Sequence, residues 1–119
     1  MKITLKLHYG TAYGQQIYVS GSSKAFGQWV AAKAVKMDDQ QNGFWEITID
    51  SKQNTDRLEY KYLLKDENGL EVWEWGNNHL IDFKNEGIKN VFVNDLWRNP
   101  PAAEKALYTA SFTKVIMNP

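Results

Sequence analysis

The sequence predicts an all-β protein, an antiparallel, immunoglobulin-like β-sandwich of six to eight short strands. Three observations support this fold class. Apolar and polar residues alternate with period two, turn residues recur about every ten positions, and helical periodicity is almost absent. With 119 residues, the chain is long enough for one domain with its own core and too short for two ordinary domains.

The alternation predicts five strands in the order of the chain. They are predicted at residues 2–9, 16–20, 45–50, 58–64 and 89–94. Trp45 occupies an apolar position of the third strand and is therefore expected in the core. Residues 31–37 fit a helical turn or an irregular strand equally well. The Asn-Gly pair that ends the turn at residues 66–69 favours a hairpin, so strand 58–64 should pair with the segment after it.

Composition excludes several classes of function. Fourteen basic and fourteen acidic residues cancel, so the net charge does not attract nucleic acid or an anionic membrane. The absence of cysteine excludes disulfides and thiolate metal sites. His8 and His79 stand far apart in the sequence, and we expect neither a metal site nor a cofactor. The first residues lack the apolar block of a signal peptide, which favours a cytoplasmic protein.

Two prolines mark a domain boundary. Asn99-Pro100-Pro101 stiffens the chain and ends the preceding strand. We therefore predict one domain over residues 1–98. Residues 99–119 are predicted to be a linker and the start of a following segment of a larger protein.

The candidate functional residues cluster in the segment 70–79, where Trp73 and Trp75 lie two positions apart. Side chains at i and i+2 of a strand share one face, and hydrogen-bonding groups flank these two. Indole faces beside carboxylates and amides are suited to a sugar, which offers a C–H face and a hydroxyl rim. Trp75 either widens this surface or plugs a sheet edge. The flanking polar residues are Glu71, Glu74, Asn77 and Asn78.

Two further residues are expected to join this surface. Trp29 follows Gly27, where a turn can hold the indole out towards solvent. Lys61 lies on the outer face of strand 58–64, and the predicted hairpin brings it near the indoles. Trp97 is most simply structural.

Short motifs along the chain resemble the starch-binding domains of carbohydrate-binding module family 20 over residues 2–98. Each motif is weak alone, and their order and spacing are specific. They are Tyr13-Gly14-Gln15, Ile17-Tyr18-Val19-Ser20-Gly21-Ser22, Phe26-Gly27-Gln28-Trp29, Phe44-Trp45, Glu59-Tyr60-Lys61-Tyr62, and Trp73-Glu74 with Gly76-Asn77-Asn78.

The resemblance implies an immunoglobulin-like sandwich that binds α-1,4-glucans without catalysis. It implies that Trp29 and Trp73 stack on glucose, while Lys61, Glu74 and Asn78 bond to its hydroxyls. It also implies a second site at Tyr13, although the loop at residues 38–43 lacks the aromatic partner that the family uses there. The family's Asn-Arg ending is replaced here by Asn78-His79.

The linker and the tail at residues 108–116 resemble the amino-terminal region of disproportionating 4-α-glucanotransferases, relatives of amylomaltase. The implied partners are an α-glucan polysaccharide or maltooligosaccharide and a covalently linked catalytic domain. The alternative from another class is a protein-interaction sandwich whose aromatic face docks a partner. Glu71 and Glu74 superficially resemble a glycosidase pair. However, a short open strand offers no cleft for a distorted sugar.

Overall fold

Two β-sheets form the domain. This computed structural model describes residues 2–50, 57–82 and 90–99, and the backbone of residues 114–118. The described residues form two single-turn 3₁₀ helices, Lys24–Phe26 and Ala31–Lys33, and ten strands. The strands are β1 (Lys2–His8), β2 (Gln15–Gly21), β3 (Val35–Lys36), β4 (Asp38–Asp39), β5 (Phe44–Asp50), β6 (Arg57–Asp66), β7 (Glu71–Trp73), β8 (His79–Asp82), β9 (Asn90–Leu96) and β10 (Lys114–Asn118).

The all-β sandwich prediction is confirmed, with two differences in detail. One sheet has the order β10-β9-β1-β5-β4, and the other has β3-β2-β6-β7 with β8 also paired to β6. β1 and β9 run parallel, whereas the other described pairs are antiparallel. Ten strands exceed the predicted six to eight, partly because β3 and β4 are only two residues long.

The core lies between the sheets and follows the period-two pattern. Alternate residues of β1, Ile3, Leu5 and Leu7, are at most 1% exposed. Trp45 is 3% exposed and its indole N–H donates to Tyr9 O over 3.2 Å, which confirms that it is a core residue. The buried apolar set is completed by Ile17, Val19, Phe26, Met37, Leu58, Tyr60, Tyr62, Leu64, Ile81, Val91 and Val93.

The predicted hairpin is confirmed. β6 and β7 pair antiparallel with Leu63 opposite Trp73. Gly69 provides the positive φ of the turn, at +86°. Asp66 accepts hydrogen bonds from the N–H groups of Asn68 and Leu70, so the turn is also fixed by a side chain.

The sequence left residues 31–37 open between two alternatives and predicted no strand at residues 114–118. Residues 31–37 combine both alternatives, with a 3₁₀ turn at Ala31–Lys33 followed by β3. β10 falls in the span predicted as linker and following segment, and its backbone pairs with β9. Pro100, Pro101 and residues 104–113 lie outside the described residues, so the boundary after residue 98 stays a prediction.

Within the described residues, no helix has the length and apolar character needed to span a membrane.

Candidate functional site

The outer face of β6 forms the floor of the candidate site. Lys61 and Leu63 point to this face, away from the core. Leu63 lies between Tyr18 of β2 and Trp73 of β7 in the register of the sheet. It is 0% exposed, although its outward position in the strand alternation predicts a solvated side chain. The outer face therefore has a covered apolar residue beside Trp73.

Above this floor lies an open pocket of about 330 Å³, lined by Trp29, Lys61, Trp73 and Asn78. The structure thus brings together four of the five residues predicted for the principal site. The two indoles stay 37% and 36% exposed, so each keeps a ring surface available to a ligand. Trp29 comes from the loop after β2, whereas Trp73 ends β7.

A left-handed turn presents Trp29. Gly27, Gln28 and Trp29 have φ values of +81°, +49° and +66°. This conformation is unfavourable for the two residues that carry side chains. Backbone hydrogen bonds hold the turn, from Gln28 N to Ser23 O and from Trp29 N to Gly21 O, both over 3.1 Å. The fully buried Phe26 ring anchors the turn to the core.

Lys61 contributes to the site in two ways. Its ammonium group is the charged group among the four lining side chains, and it donates a hydrogen bond to Gly76 O. That bond fixes the loop between Trp73 and Asn78. The other N–H groups of the ammonium stay as donors for a polar ligand.

Glu74 does not line the pocket, and the prediction that it bonds to sugar hydroxyls is wrong. Its side chain is 0% exposed and points to the core side of the sheet. Strand alternation is the reason, because the residue between two outward indoles, Trp73 and Trp75, must face inwards. The carboxylate accepts hydrogen bonds from Tyr62 N over 3.1 Å and from Arg98 Nε over 3.3 Å.

His79 completes a buried polar cluster that the sequence analysis missed. Its Nε2 donates to Glu74 Oε1 over 2.6 Å, and its Nδ1 lies 3.7 Å from Asp95 Oδ1. Tyr60 and Tyr62 both donate to Asp95 Oδ2 over 2.7 Å. The only sequence signal for this cluster was the Asn78-His79 ending, because the partners come from three separate strands.

Burial and hydrogen bonding shift the pKa values of this cluster. Burial raises the pKa of the Glu74 carboxyl, but hydrogen bonds from His79, Arg98 and Tyr62 N–H outweigh it and hold the pKa below the ordinary 4.5. Burial raises the pKa values of the Tyr60 and Tyr62 hydroxyls well above 10.0, and the Asp95 carboxylate adds to both shifts. The tyrosines therefore stay neutral donors, and Glu74 stays a carboxylate at neutral pH.

Three other predicted residues lie outside the pocket lining. Trp75 is 44% exposed and its backbone N–H donates to Arg98 O over 3.0 Å. Tyr13 is fully exposed in the loop between β1 and β2, at 102%, so its second site stays a prediction. Glu71 is exposed whereas Glu74 is buried, so the two carboxylates do not face one substrate as a glycosidase pair requires.

The structural role of Trp97 is confirmed, because its ring stacks on Tyr9 with centroids 4.6 Å apart. Among the residues whose side chains are described, no group of three or more acidic or histidine side chains is arranged to hold a metal ion.

Comparisons with known proteins give the site a context. The chain is 33% identical over 96 residues to glucoamylase-1 of Schizophyllum commune, covering 81% of this chain and 16% of that protein. It is 32% identical over 90 residues to a cyclomaltodextrin glucanotransferase of Bacillus sp. (strain 1-1), covering 71% of this chain and 12% of that protein. The chain thus spans less than a fifth of these relatives.

A solved structure shows the same fold. The family 20 carbohydrate-binding module of the maltotetraose-forming amylase from Pseudomonas saccharophila STB07 has a TM-score of 0.62 and 20% identity. The match covers 79% of this chain and 99% of that one. The family model for the starch-binding domain matches residues 1–92. This chain therefore belongs to the starch-binding domains of carbohydrate-binding module family 20.

Proposed function

We propose that the pocket between Trp29 and Trp73 binds starch-type α-1,4-glucans, including maltooligosaccharides, amylose and glycogen, without cleaving them. The observation that carries the proposal is the meeting of two partly exposed tryptophans, one from the loop after β2 and one from the end of β7, around a lysine and an asparagine. Each indole offers an apolar plate to the C–H face of one glucose. Lys61 and Asn78 then hydrogen-bond the hydroxyl rim, replacing water that the sugar loses.

Curvature favours an α-glucan over a flat polymer. Consecutive α-1,4-linked glucoses turn relative to each other, so two rings from different structural elements fit adjacent units. Stacking adds modest apolar burial at about 25 cal/mol per Å², and sugar hydrogen bonds nearly balance those to water. We therefore expect a dissociation constant of about 10 μM to 1 mM for maltoheptaose. A linked catalytic domain turns such weak binding into a high effective substrate concentration.

Calorimetric titration with maltoheptaose tests the proposal, with cellohexaose as the control sugar. Trp73→Ala is expected to raise the dissociation constant at least about thirtyfold, because a central stacking ring is removed. The matched control is Trp75→Ala, which removes an exposed indole two residues away, outside the pocket lining, and should leave the dissociation constant unchanged. Circular dichroism checks that both variants keep the fold.

Other results would contradict the proposal in separate ways. Equal affinity for cellohexaose would exclude α-glucan specificity. Loss of binding in Trp75→Ala alone would show that the sugar binds at Trp75 and not between Trp29 and Trp73. Absence of sugar binding by the unmodified chain would favour the protein-interaction alternative. Release of new reducing ends from maltoheptaose would show catalysis by this domain.

We also propose that the parent protein is a cytoplasmic 4-α-glucanotransferase. The linker and tail resemble the amino-terminal region of disproportionating enzymes. The similarity to a cyclomaltodextrin glucanotransferase is consistent with a glucan-transferring parent. Glucan transfer by the full-length protein, with no need for a metal or cofactor, is the expected activity; release of glucose as the main product would contradict it.

A further inference from the structure

The loop at residues 74–78 connects β7 to β8, and both of these strands pair with β6. At its start, Glu74 N–H donates to Tyr62 O over 3.0 Å. At its end, His79 begins β8 and pairs with Tyr60. The loop thus begins and ends opposite two positions of β6 that are themselves two residues apart. Trp73 directly precedes the loop and Asn78 is its last residue, and both line the pocket.

Two side-chain contacts close this loop, one from each face of β6. On the outer face, Lys61 donates to Gly76 O. On the core face, His79 Nε2 donates to Glu74 Oε1 over 2.6 Å. This second contact joins the two ends of the loop through their side chains.

The Glu74 carboxylate takes the place of a strand partner. β7 ends at Trp73, and the next N–H on β6, that of Tyr62, donates to Glu74 Oε1 over 3.1 Å. The same oxygen accepts from His79, so one atom links the beginning of the loop, its end and the strand beneath. This arrangement fixes the backbone on both sides of the loop.

The surroundings of His79 hold its ring in one orientation. The imidazole stacks on the Tyr60 ring with centroids 5.0 Å apart and meets the Tyr62 ring edge-on at 5.5 Å. Asp95 lies on its Nδ1 side, and Arg98 shares the Glu74 carboxylate. Because rings and charges enclose the imidazole, its Nε2 is directed at Glu74.

We propose that His79 is a positioning residue of the sugar site, acting through Glu74 to fix the distance between Trp73 and Asn78. This inference rests on the proposed glucan binding. Without the Glu74 contact, binding a sugar must first order the loop and its side chains. That ordering has an entropic cost that is subtracted from the binding free energy, so affinity should fall about tenfold.

Two amide substitutions separate positioning from general stability. Glutamine at position 79 carries its N–H donor about where Nε2 lies and keeps the contact to Glu74, whereas the shorter asparagine cannot reach it. We expect His79→Gln to bind maltoheptaose within about threefold of the unmodified chain, and His79→Asn to bind about tenfold more weakly. His8→Leu is the control, because His8 stacks on Phe44 at the exposed end of β1.

Amide hydrogen exchange without sugar measures the loop directly. The Trp75 amide, which donates to Arg98 O, should exchange about tenfold faster in His79→Asn than in His79→Gln. The Trp29 amide, which donates to Gly21 O in the other loop, should be unaffected. Exchange and affinity are both measured well below the unfolding temperature, and the Trp29 amide reports any loss of global stability, which would speed the exchange of both amides.

The results separate the two proposals. Equal affinity and equal Trp75 exchange in the two variants would overturn the positioning role, even if both are less stable. If the unmodified chain binds no maltoheptaose, the proposed function fails, and the exchange difference alone decides whether His79 fixes the loop. Faster exchange at Trp29 as well would show general loosening and would also overturn the inference.

Discussion

Trp29 and Trp73 line one pocket, yet different interactions hold the two indoles in place. Trp29 is held by its local backbone, through a left-handed turn and hydrogen bonds to Gly21 and Ser23. Trp73 ends a strand, and the loop after it is held by the buried side chains of Glu74 and His79. The loop that carries Trp29 therefore depends on backbone conformation. The loop after Trp73 depends on a buried carboxylate and the buried groups that hydrogen-bond to it.

This difference predicts different sensitivities. Low pH should loosen the loop after Trp73, because the ionised Glu74 carboxylate helps to hold that loop. Steric change at a single backbone position should act on the Trp29 side, where three consecutive residues have positive φ. A single substitution can therefore break one support and leave the other intact.

The largest effect is expected from Glu74→Gln, at about 3 kcal/mol of unfolding free energy at neutral pH, because one partner of a buried ionic cluster is lost. The Glu74 pKa is lower in the folded than in the unfolded chain. Its stabilisation is therefore present above about pH 4.5 and is lost as the pH falls through the folded pKa. Urea unfolding from pH 7 to pH 3 should show the difference between the two proteins shrinking in acid.

Glu71→Gln is the control for this experiment, because Glu71 is an exposed glutamate of β7, three residues before Glu74. Its unfolding free energy should match that of the unmodified chain within about 0.5 kcal/mol. A difference for Glu74→Gln that is constant from pH 7 to pH 3 would contradict the assignment of Glu74 as an ionised buried group.

The period-two pattern predicted the main strands because each has one face in the core, as in Ile3, Leu5 and Leu7 of β1. It did not predict that β1 and β9 run parallel, since alternation is the same in either direction. Nor did it identify β3 and β4, because two residues are too few to show a period. Local residue patterns thus predict strands, while pairing depends on contacts distant in sequence.

The sequence predicted those site residues whose side chains could be assigned to the outer face of a strand or to an exposed turn. Trp29, Lys61, Trp73 and Asn78 were predicted together and line one pocket. Glu74 was misplaced, although the same alternation that puts Trp73 and Trp75 outwards sends it inwards. His79 was noted as a departure from the family motif and in the argument against a metal site, but not as a buried residue that supports the loop. Its buried partners depend on the register of β6 with β8, which a single sequence does not reveal.

The second effect concerns Gly27→Ala, which breaks the support of Trp29. A Cβ at this position would lie 2.4 Å from Lys33 O, at a φ of +81°. We expect a loss of about 2 to 3 kcal/mol in unfolding free energy and weaker binding of maltoheptaose, because the turn that presents Trp29 must shift. Thermal unfolding and calorimetry measure the two quantities.

Gly69→Ala provides the matched control for this substitution. Its φ is similar, at +86°, but a Cβ would have no atom within 4 Å. Only the conformational cost remains, about 1 kcal/mol, and the dissociation constant should not change. If both alanine variants lost the same stability and kept the same affinity, the close approach of Gly27 to Lys33 would have no role in presenting Trp29.

The smallest effect is expected from Lys65→Met, which tests whether the loop that carries Trp29 also depends on a side-chain contact. Lys65 lies on the outer face of β6, donates to Ala31 O over 2.8 Å and sits 4.5 Å from the centre of the Tyr18 ring. It is the side-chain contact from β6 to the segment after Trp29, as Lys61 is to the loop after Trp73. Methionine keeps the apolar stem on Tyr18 but removes the donor.

Because backbone hydrogen bonds already hold Trp29, losing this contact should weaken maltoheptaose binding only about threefold. Lys33→Met is the control, since it removes the same charge from an exposed position of the same segment and should leave the dissociation constant unchanged. A tenfold loss in Lys65→Met would mean that Trp29 depends on a side chain as much as Trp73 does, and the contrast between backbone and side-chain support would then be wrong.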